Sequence, residues 1–268
     1  MSSFRKLIFL CFVLVIAACS TTPIEPVPSA DLGHLWVKNA AEYSALTLQA
    51  YGAAHRALQG YIDDTAWSAL PGQKNFENLP PAIIFDVDET LVSNVDFQLA
   101  FVPPFANWKL DKWNREHEAT PIAGATDFVD AASRAGVTLF FVTNRPCERM
   151  EDDPRTCPQE LTTLEDLREV GIQADAEHLM LSREQADWSR EKLVRRELIA
   201  QTHRVIMLIG DDLGDFIPCV RAKPYSPCTE SATSESRDAL VRRYRDYWGS
   251  GWYILPNPMH GSWTSSAE

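Results

Sequence analysis

Apolar positions along this chain fall into two rhythms, and the switch between them marks the elements. From Leu32 to about Asp63, Leu35, Ala40, Tyr43, Leu46, Ala50, Ala54 and Leu58 recur at helix-like spacing with few breakers, which predicts one or two helices with a core-facing stripe. Leu70-Pro-Gly and Pro80-Pro81 then punctuate the chain. Short apolar runs of strand length follow at Ala82–Phe85, Val137–Thr143, His178–Leu181 and Val205–Gly210, with a last one expected at Trp252–Leu255. Helical stretches separate them: 125–135 before Gly136, 159–170 before Gly171, and 189–201. Continuous apolar strands alternating with helices predict an α/β fold, a doubly wound parallel sheet with helices on both faces. Segment 98–120 breaks the alternation just after the first strand, and it carries Phe101, Phe105, Trp108 and Trp113 among polar residues. An insertion there predicts a small cap over a site at the strand ends.

The N-terminus has a different pattern. Arg5 and Lys6 precede an unbroken apolar run from Leu7 to Ala18, which predicts a secretory signal peptide over 1–18. The run is shorter than the ~20 residues that a membrane-spanning helix needs. Ile16-Ala-Ala-Cys19 resembles the bacterial lipobox, so Cys19 is the expected lipidation site, residues 19–31 a proline-rich tether, and 32–268 the folded domain. The alternative is an ordinary cleavage site beside an incidental cysteine. Ser20 after the cysteine resembles the outer-membrane sorting class. The expected location is therefore the bacterial outer membrane, on its periplasmic or outer face.

Composition narrows the partners. A chain of 268 residues with 45% hydrophobic content can bury one good core. A net charge of -12 argues against a nucleic-acid polymer as ligand, because such binding rests on cationic residues neutralising phosphates. Any phosphate-handling site must be local. Cys147, Cys157, Cys219 and Cys228 form an even set suited to an exported protein, with three pairings open. The sequence-local pairs, Cys147 with Cys157 and Cys219 with Cys228, are favoured because each closes a proline-containing loop. Metal binding is the alternative, but the spacings differ from the C-x-x-C pairs of structural zinc. The oligomeric state, dimer included, is left open.

In an open parallel sheet, ligands bind outside the carboxyl ends of the strands, so those ends are compared next. The first strand ends in Asp86-Val-Asp88-Glu-Thr90, the second in Thr143-Asn144-Arg145, and the strand from Val205 in Gly210-Asp211-Asp212-Leu-Gly-Asp215. Asp86, Asp88 and Asp211 gathered at one edge repel one another unless a cation lies between them. Mg2+ suits such a set, since it takes a few carboxylates and keeps waters. Each acidic pair taken singly reads equally well as a cap or a turn. The ordered combination, with Lys192 downstream, is far more specific.

Phe85-Asp86-Val-Asp88-Glu-Thr90-Leu91, Val142-Thr143-Asn144-Arg145, Lys192 and Gly210-Asp211-x-x-x-Asp215 resemble, in order, the four motifs of the haloacid dehalogenase (HAD) superfamily. Together with Pro256-Asn-Pro-Met-His-Gly-Ser-Trp263, they resemble the class C acid phosphatases, bacterial lipoproteins that hydrolyse nucleoside 5'-monophosphates and other small phosphomonoesters. The resemblance implies a HAD-like fold and a Mg2+ cofactor. It implies Asp86 as nucleophile, Asp88 as general acid and base, and Thr143 and Asn144 as donors to the phosphoryl group. Lys192 would pair with Asp86 and the phosphoryl charge. Asp86, the Asp88 carbonyl and Asp211 would bind the metal, and Asp215 would accept from metal-bound water. Phe97, Trp108 and Trp113, with His260 of the C-terminal loop, would hold the organic part of the substrate; for the three aromatic residues, core packing of the cap is an equal alternative. His260 stands where the family has tyrosine, and Asp212 where it has asparagine. Lys192 by itself reads as part of an exposed helix face, and Arg195 and Arg196 are open between substrate attraction and surface. A non-catalytic binding or storage lipoprotein and a phosphotransferase are the competing functions; the retained Asp86, Asp88 and Lys192 speak against the first.

Overall fold

Helix α1 (Ser29–Asn39) and helix α2 (Ala41–Asp63) open the structure, separated at Ala40, where the backbone turns extended. This is a computed structural model describing residues 29–100, 106–116 and 118–266. The leader, Cys19 and the tether up to residue 28 lie outside the described residues, as do Phe101 and Phe105. Among the described residues no helix is long and apolar enough to cross a membrane. The buried face of α2 runs through Tyr43, Thr47, Tyr51, Ala54 and Leu58. It leaves Leu46 outside the expected stripe, 41% exposed.

Strand β1 (Pro81–Phe85) follows, and then the cap. A two-stranded antiparallel ribbon, β2 (Val92–Ser93) and β3 (Thr120–Pro121), pairs Val92 with Pro121 and Ser93 with Thr120. It fastens both ends of the insertion, which carries α3 (Val95–Ala100) and α4 (Asn107–Glu116). The inserted segment therefore leaves the core just after Ser93, earlier than the expected 98. The chain continues through α5 (Ala125–Arg134), β4 (Thr138–Pro146), α6 (Pro158–Glu169) and β5 (Leu179–Ser182). Then come α7 (Leu193–Ala200), β6 (Arg204–Gly210), α8 (Ser234–Arg243) and β7 (Trp252–Ile254).

The five core strands are parallel and ordered β5-β4-β1-β6-β7. Alternation along β1 decides which core each side chain joins. Ile83 and Phe85 pack with Tyr51, Leu58, Phe128 and Phe141 under α2 and α5. Ala82 and Ile84 pack on the other face with Phe140, Ile199, Leu208 and Trp252. Both faces are covered, which is why these strands read as unbroken apolar runs. On the second face Trp252 is buried among Tyr247, Tyr244, Trp248 and Phe216, with centroids 4.7 to 5.6 Å from its ring.

Cys147 is bonded to Cys157 and Cys219 to Cys228, with Cα atoms 4.8 and 5.3 Å apart. These are the two sequence-local pairs. Each closes the loop that leaves a strand, β4 or β6, at the edge where the acidic motifs lie.

Candidate active site

Parallel pairing sets Phe85 beside Phe141 on one side and Ile209 on the other, so β1, β4 and β6 end at a common edge. Asp86 N–H donates to the Ile209 carbonyl at 2.9 Å, carrying the ladder one residue past β1. The Asp86 side chain then accepts from Lys192 Nζ, which also pairs with Asp215 Oδ1 at 2.7 Å. Thr90 Oγ1 lies 3.4 Å from Asp86 Oδ2 and 3.3 Å from Asp211 Oδ1. Asp86, Asp211 and Asp215 each offer an oxygen within 4.8 Å of the others. Gly210 permits this crowding: a Cβ there would stand 2.3 Å from Asp215 Oδ2.

Lys192 reaches the cluster because α7 starts late. Ser189 Oγ accepts from Glu191 N–H at 3.0 Å, a local bond that competes with helix formation and keeps 189–192 outside the expected helix. Lys192 thus sits at the mouth of α7, 3% exposed, and not on an exposed helix face. Arg195 and Arg196 are likewise buried, so neither surface nor substrate attraction describes them. Arg195 Nη1 donates to the carbonyls of Thr143 and Met180 at 2.6 and 3.1 Å, and Arg196 Nη1 to those of Gly214 and Asp215 at 3.1 and 2.6 Å. They are internal struts for the ends of β4 and β6, and burial pushes both guanidinium groups down to about 10.

Electrostatically the edge is overloaded with negative charge. Burial pushes the Asp86 carboxyl up to about 7 against the pull of Lys192, with Asp215 and Asp88 adding to the rise. Asp211 is pushed well above the carboxylate range, first by burial and then by Asp86 and Asp215. For Lys192, burial favours the neutral amine, but Asp215 and Asp86 outweigh it and hold the ammonium. One ammonium facing three crowded carboxylates leaves a deficit of positive charge, and the donors are hard oxygens. This set fits a divalent cation.

Asp88 has a different environment. Arg145 Nε reaches Oδ1 and Oδ2 at 3.1 and 3.0 Å, Nη2 reaches Oδ1 at 2.8 Å, and Asn94 Nδ2 reaches Oδ1 at 2.7 Å. Behind, Arg145 Nη1 donates to Thr163 Oγ1 at 3.2 Å and Asp166 Oδ2 at 2.5 Å on α6. Burial would raise Asp88, but the Arg145 charge and hydrogen bonds overcome it and hold the carboxyl below its ordinary value. Arg145 carried no assigned role in the sequence; its place in the Thr-Asn-Arg strand end was the available signal. Glu89 was also missed. It is 1% exposed with φ of 58°, accepts from Asn94 N–H at 2.8 Å and Ser93 Oγ at 3.3 Å, and burial pushes it up to about 8.

A cavity of about 440 Å³ opens over this edge, with Asp86, Asp88, Asn144, Lys192, Asp211 and His260 on its wall. Thr143 is fully buried and off the wall; its Oγ1 accepts from Arg145 N–H at 3.1 Å. The expected aromatic clamp is not brought together. Phe97 is buried against Trp113, centroids 6.0 Å apart, and Trp113 Nε1 donates to Asn94 Oδ1 at 3.2 Å. Trp108 is 61% exposed. None of the three lines the cavity, to which the cap presents Asn94, Gln98, Asn107 and Leu110. Core packing of the cap is the observed role of Phe97 and Trp113.

His260 does line the cavity, in a loop docked on the acids. Asn257 Nδ2 donates to Asp211 Oδ2 at 2.7 Å, and burial lowers the His260 pKa. Asp212 anchors the same loop: its Oδ1 accepts from Gly214 N–H at 2.8 Å and its Oδ2 from Ser262 N–H. A carboxylate serves both donors with one oxygen each, whereas an asparagine in this pose offers a single acceptor atom. Burial would raise Asp212, but Arg221 and these hydrogen bonds lower it.

A family model described as HAD superfamily, subfamily IIIB (acid phosphatase), matches residues 21–263. Two solved structures of the class C acid phosphatase of Bacillus anthracis, one with tungstate bound, are similar to this chain at 28% identity. Each alignment covers 87% of this chain and 86% of the other, with TM-scores of 0.68 and 0.69.

Proposed function

This chain belongs to the HAD superfamily, subfamily IIIB, as a class C acid phosphatase, and from that premise we propose a Mg2+-dependent hydrolase of small phosphomonoesters, nucleoside 5'-monophosphates included. The observation that carries the mechanism is the Asp86–Lys192–Asp215 chain beside Asp211 at the end of β1. Phosphomonoester hydrolysis itself follows from the family, which sets aside the non-catalytic alternative.

Asp86 attacks phosphorus in line, forming an aspartyl phosphate as the ester oxygen leaves with a proton from Asp88. Asp88 then takes a proton from water as that water attacks the phosphorus, releasing phosphate and restoring Asp86. Arg145 and Asn94 fix the Asp88 carboxyl for both steps. Arg145 holds Asp88 below its ordinary range, so only acid conditions favour its proton-bearing form. Lys192 keeps Asp86 oriented and offers charge to the transferred group, and Asn144 is placed on the wall to donate to it. Thr143 acts one step back, by bonding the Arg145 backbone. Asp86, Asp211 and the Asp88 carbonyl would hold Mg2+, with Asp215 accepting from its water. When bound, the ion supplies charge that keeps Asp86 ionised and neutralises phosphoryl oxygens. The Bacillus anthracis enzyme binds tungstate, an oxyanion like phosphate, which supports a phosphate-ester substrate here.

The test is phosphate release from p-nitrophenyl phosphate and from AMP by purified protein, before and after chelation and Mg2+ return. Activity lost to chelator and restored by Mg2+ is expected; no release from either ester, at any pH from acid to neutral, would sink the reading. We further propose that Cys19 carries the lipid anchor, with the outer membrane as destination. Labelling with radioactive palmitate, lost in Cys19→Ala, checks the anchor.

A further inference from the structure

Two guanidinium groups at the cavity are not consumed by the chemistry described above. Arg190 stands on the wall, half-buried, and makes no hydrogen bond or ion pair among the described residues. The carboxylates on the cavity wall are already engaged, Asp211 by Asn257. Asp86 and Asp215 face Lys192, Asp88 faces Arg145, and Asp212 takes two backbone N–H groups. Arg221, also on the wall, has among the described residues only long ion pairs, 3.7 Å from Nη2 to Asp212 Oδ1 and 3.8 Å from Nε to Glu191 Oε1. Its Nε is buried without a hydrogen-bond partner.

The segments that carry these residues are tied together. Ser189 Oγ donates to the Ser226 carbonyl at 2.7 Å, and Cys219 N–H donates to Glu191 Oε2 at 3.0 Å. Residue 221 also lies inside the loop closed by Cys219 and Cys228. The segment of Arg190 is thus tied to the stapled loop of Arg221, and both line the cavity of a protein whose net charge of -12 otherwise repels anions. A planar guanidinium with unspent donors is matched to a carboxylate or phosphate, which it can bind through two hydrogen bonds.

We propose that Arg190, seconded by Arg221, binds a second acidic group on the organic part of the substrate, so that the preferred phosphomonoesters are those that also carry a phosphate or carboxylate. This rests on the reading of Asp86 as the centre of phosphoester hydrolysis. Arg190 and Arg221 are specificity residues in it, since Lys192, Asn144 and the metal attend to the phosphoryl group that is transferred.

The experiment compares kcat/KM for matched esters: a nucleoside 3',5'-bisphosphate against the 5'-monophosphate, and phosphoglycolate against ethyl phosphate. The first pair tests a second phosphate and the second a carboxylate. The wild-type enzyme is expected to prefer the diacidic ester of at least one pair by about tenfold or more, as for a hydrogen bond between charged groups. R190A is expected to bring that ratio close to one, mainly through KM, while R190K keeps part of it and R221Q reduces it less than R190A. A wild-type ratio near one in both pairs overturns the inference, as does an R190A enzyme that loses activity equally on both members of a pair. Hydrolysis of neither member by the wild-type enzyme overturns the inference together with the reading beneath it.

Discussion

The strand edge and the cap face the same cavity, yet they are built in opposite ways. At the edge, Asp86, Lys192, Asp215, Arg145 and Asp166 are all less than one-tenth exposed, with Lys192 paired to Asp86 and Asp215, and Arg145 to Asp166. In the cap, Trp108 is largely exposed, and the α4 pairs Lys112–Glu116 and Arg115–Asp152 lie in solvent, where such pairs contribute little. The joint between them is Asn94, which bonds Asp88 on one side and accepts from Trp113 on the other. The difference teaches where change is tolerated: the buried, paired edge has little room for it, and the exposed side of the cap has much.

The largest expected effect breaks the edge at its centre. Asp86→Asn should lower kcat about a thousandfold or more while circular dichroism stays that of the wild type, as for loss of a nucleophile acting within a unit. Next comes Arg145→Gln, which removes a buried cation lying between Asp88 and Asp166. It should destabilise the fold by about 3 kcal/mol, read by urea unfolding, and lower kcat by more than it changes KM.

A smaller effect tests Glu89, the buried acid under the edge. Its ordinary value is 4.5 and the folded protein raises it to about 8. Between those values the folded state keeps a proton that the unfolded chain gives up, so this group lowers stability progressively as pH rises from 4.5 to 8. Glu89→Gln should therefore unfold at nearly the wild-type temperature at pH 4.5 and at a higher one at pH 8, by several degrees in a thermal melt. A constant difference at both pH values would refute the buried-acid account. The smallest effect is in the cap: Trp108→Ala should leave stability within about 0.5 kcal/mol and kcat/KM for p-nitrophenyl phosphate within about twofold. A loss as large as that of Arg145→Gln would erase the distinction between edge and cap.

The core strands and the parallel sheet were legible along the chain, because burial on both faces writes itself into unbroken apolar runs, whereas α8 and the β2–β3 ribbon, short or little buried, were not. The acids of the strand ends were legible too, since ligands of an open parallel sheet bind outside the carboxyl ends of its strands and three such ends carry acids or small polar groups in order. The chain by itself also marked Lys192, though only through its order among the motifs. Tertiary structure decided the rest. Lys192 meets Asp86 across 106 residues, Arg145 meets Asp88 across 57, and Ser262 meets Asp212 across 50. Periodicity records which side of an element is buried, whereas the partner of a charge is chosen by which distant segment arrives beside it. That is why Arg195 and Arg196 could become struts, Phe97 and Trp113 could turn into the cap, and Arg190 could be left facing the cavity with its donors unspent.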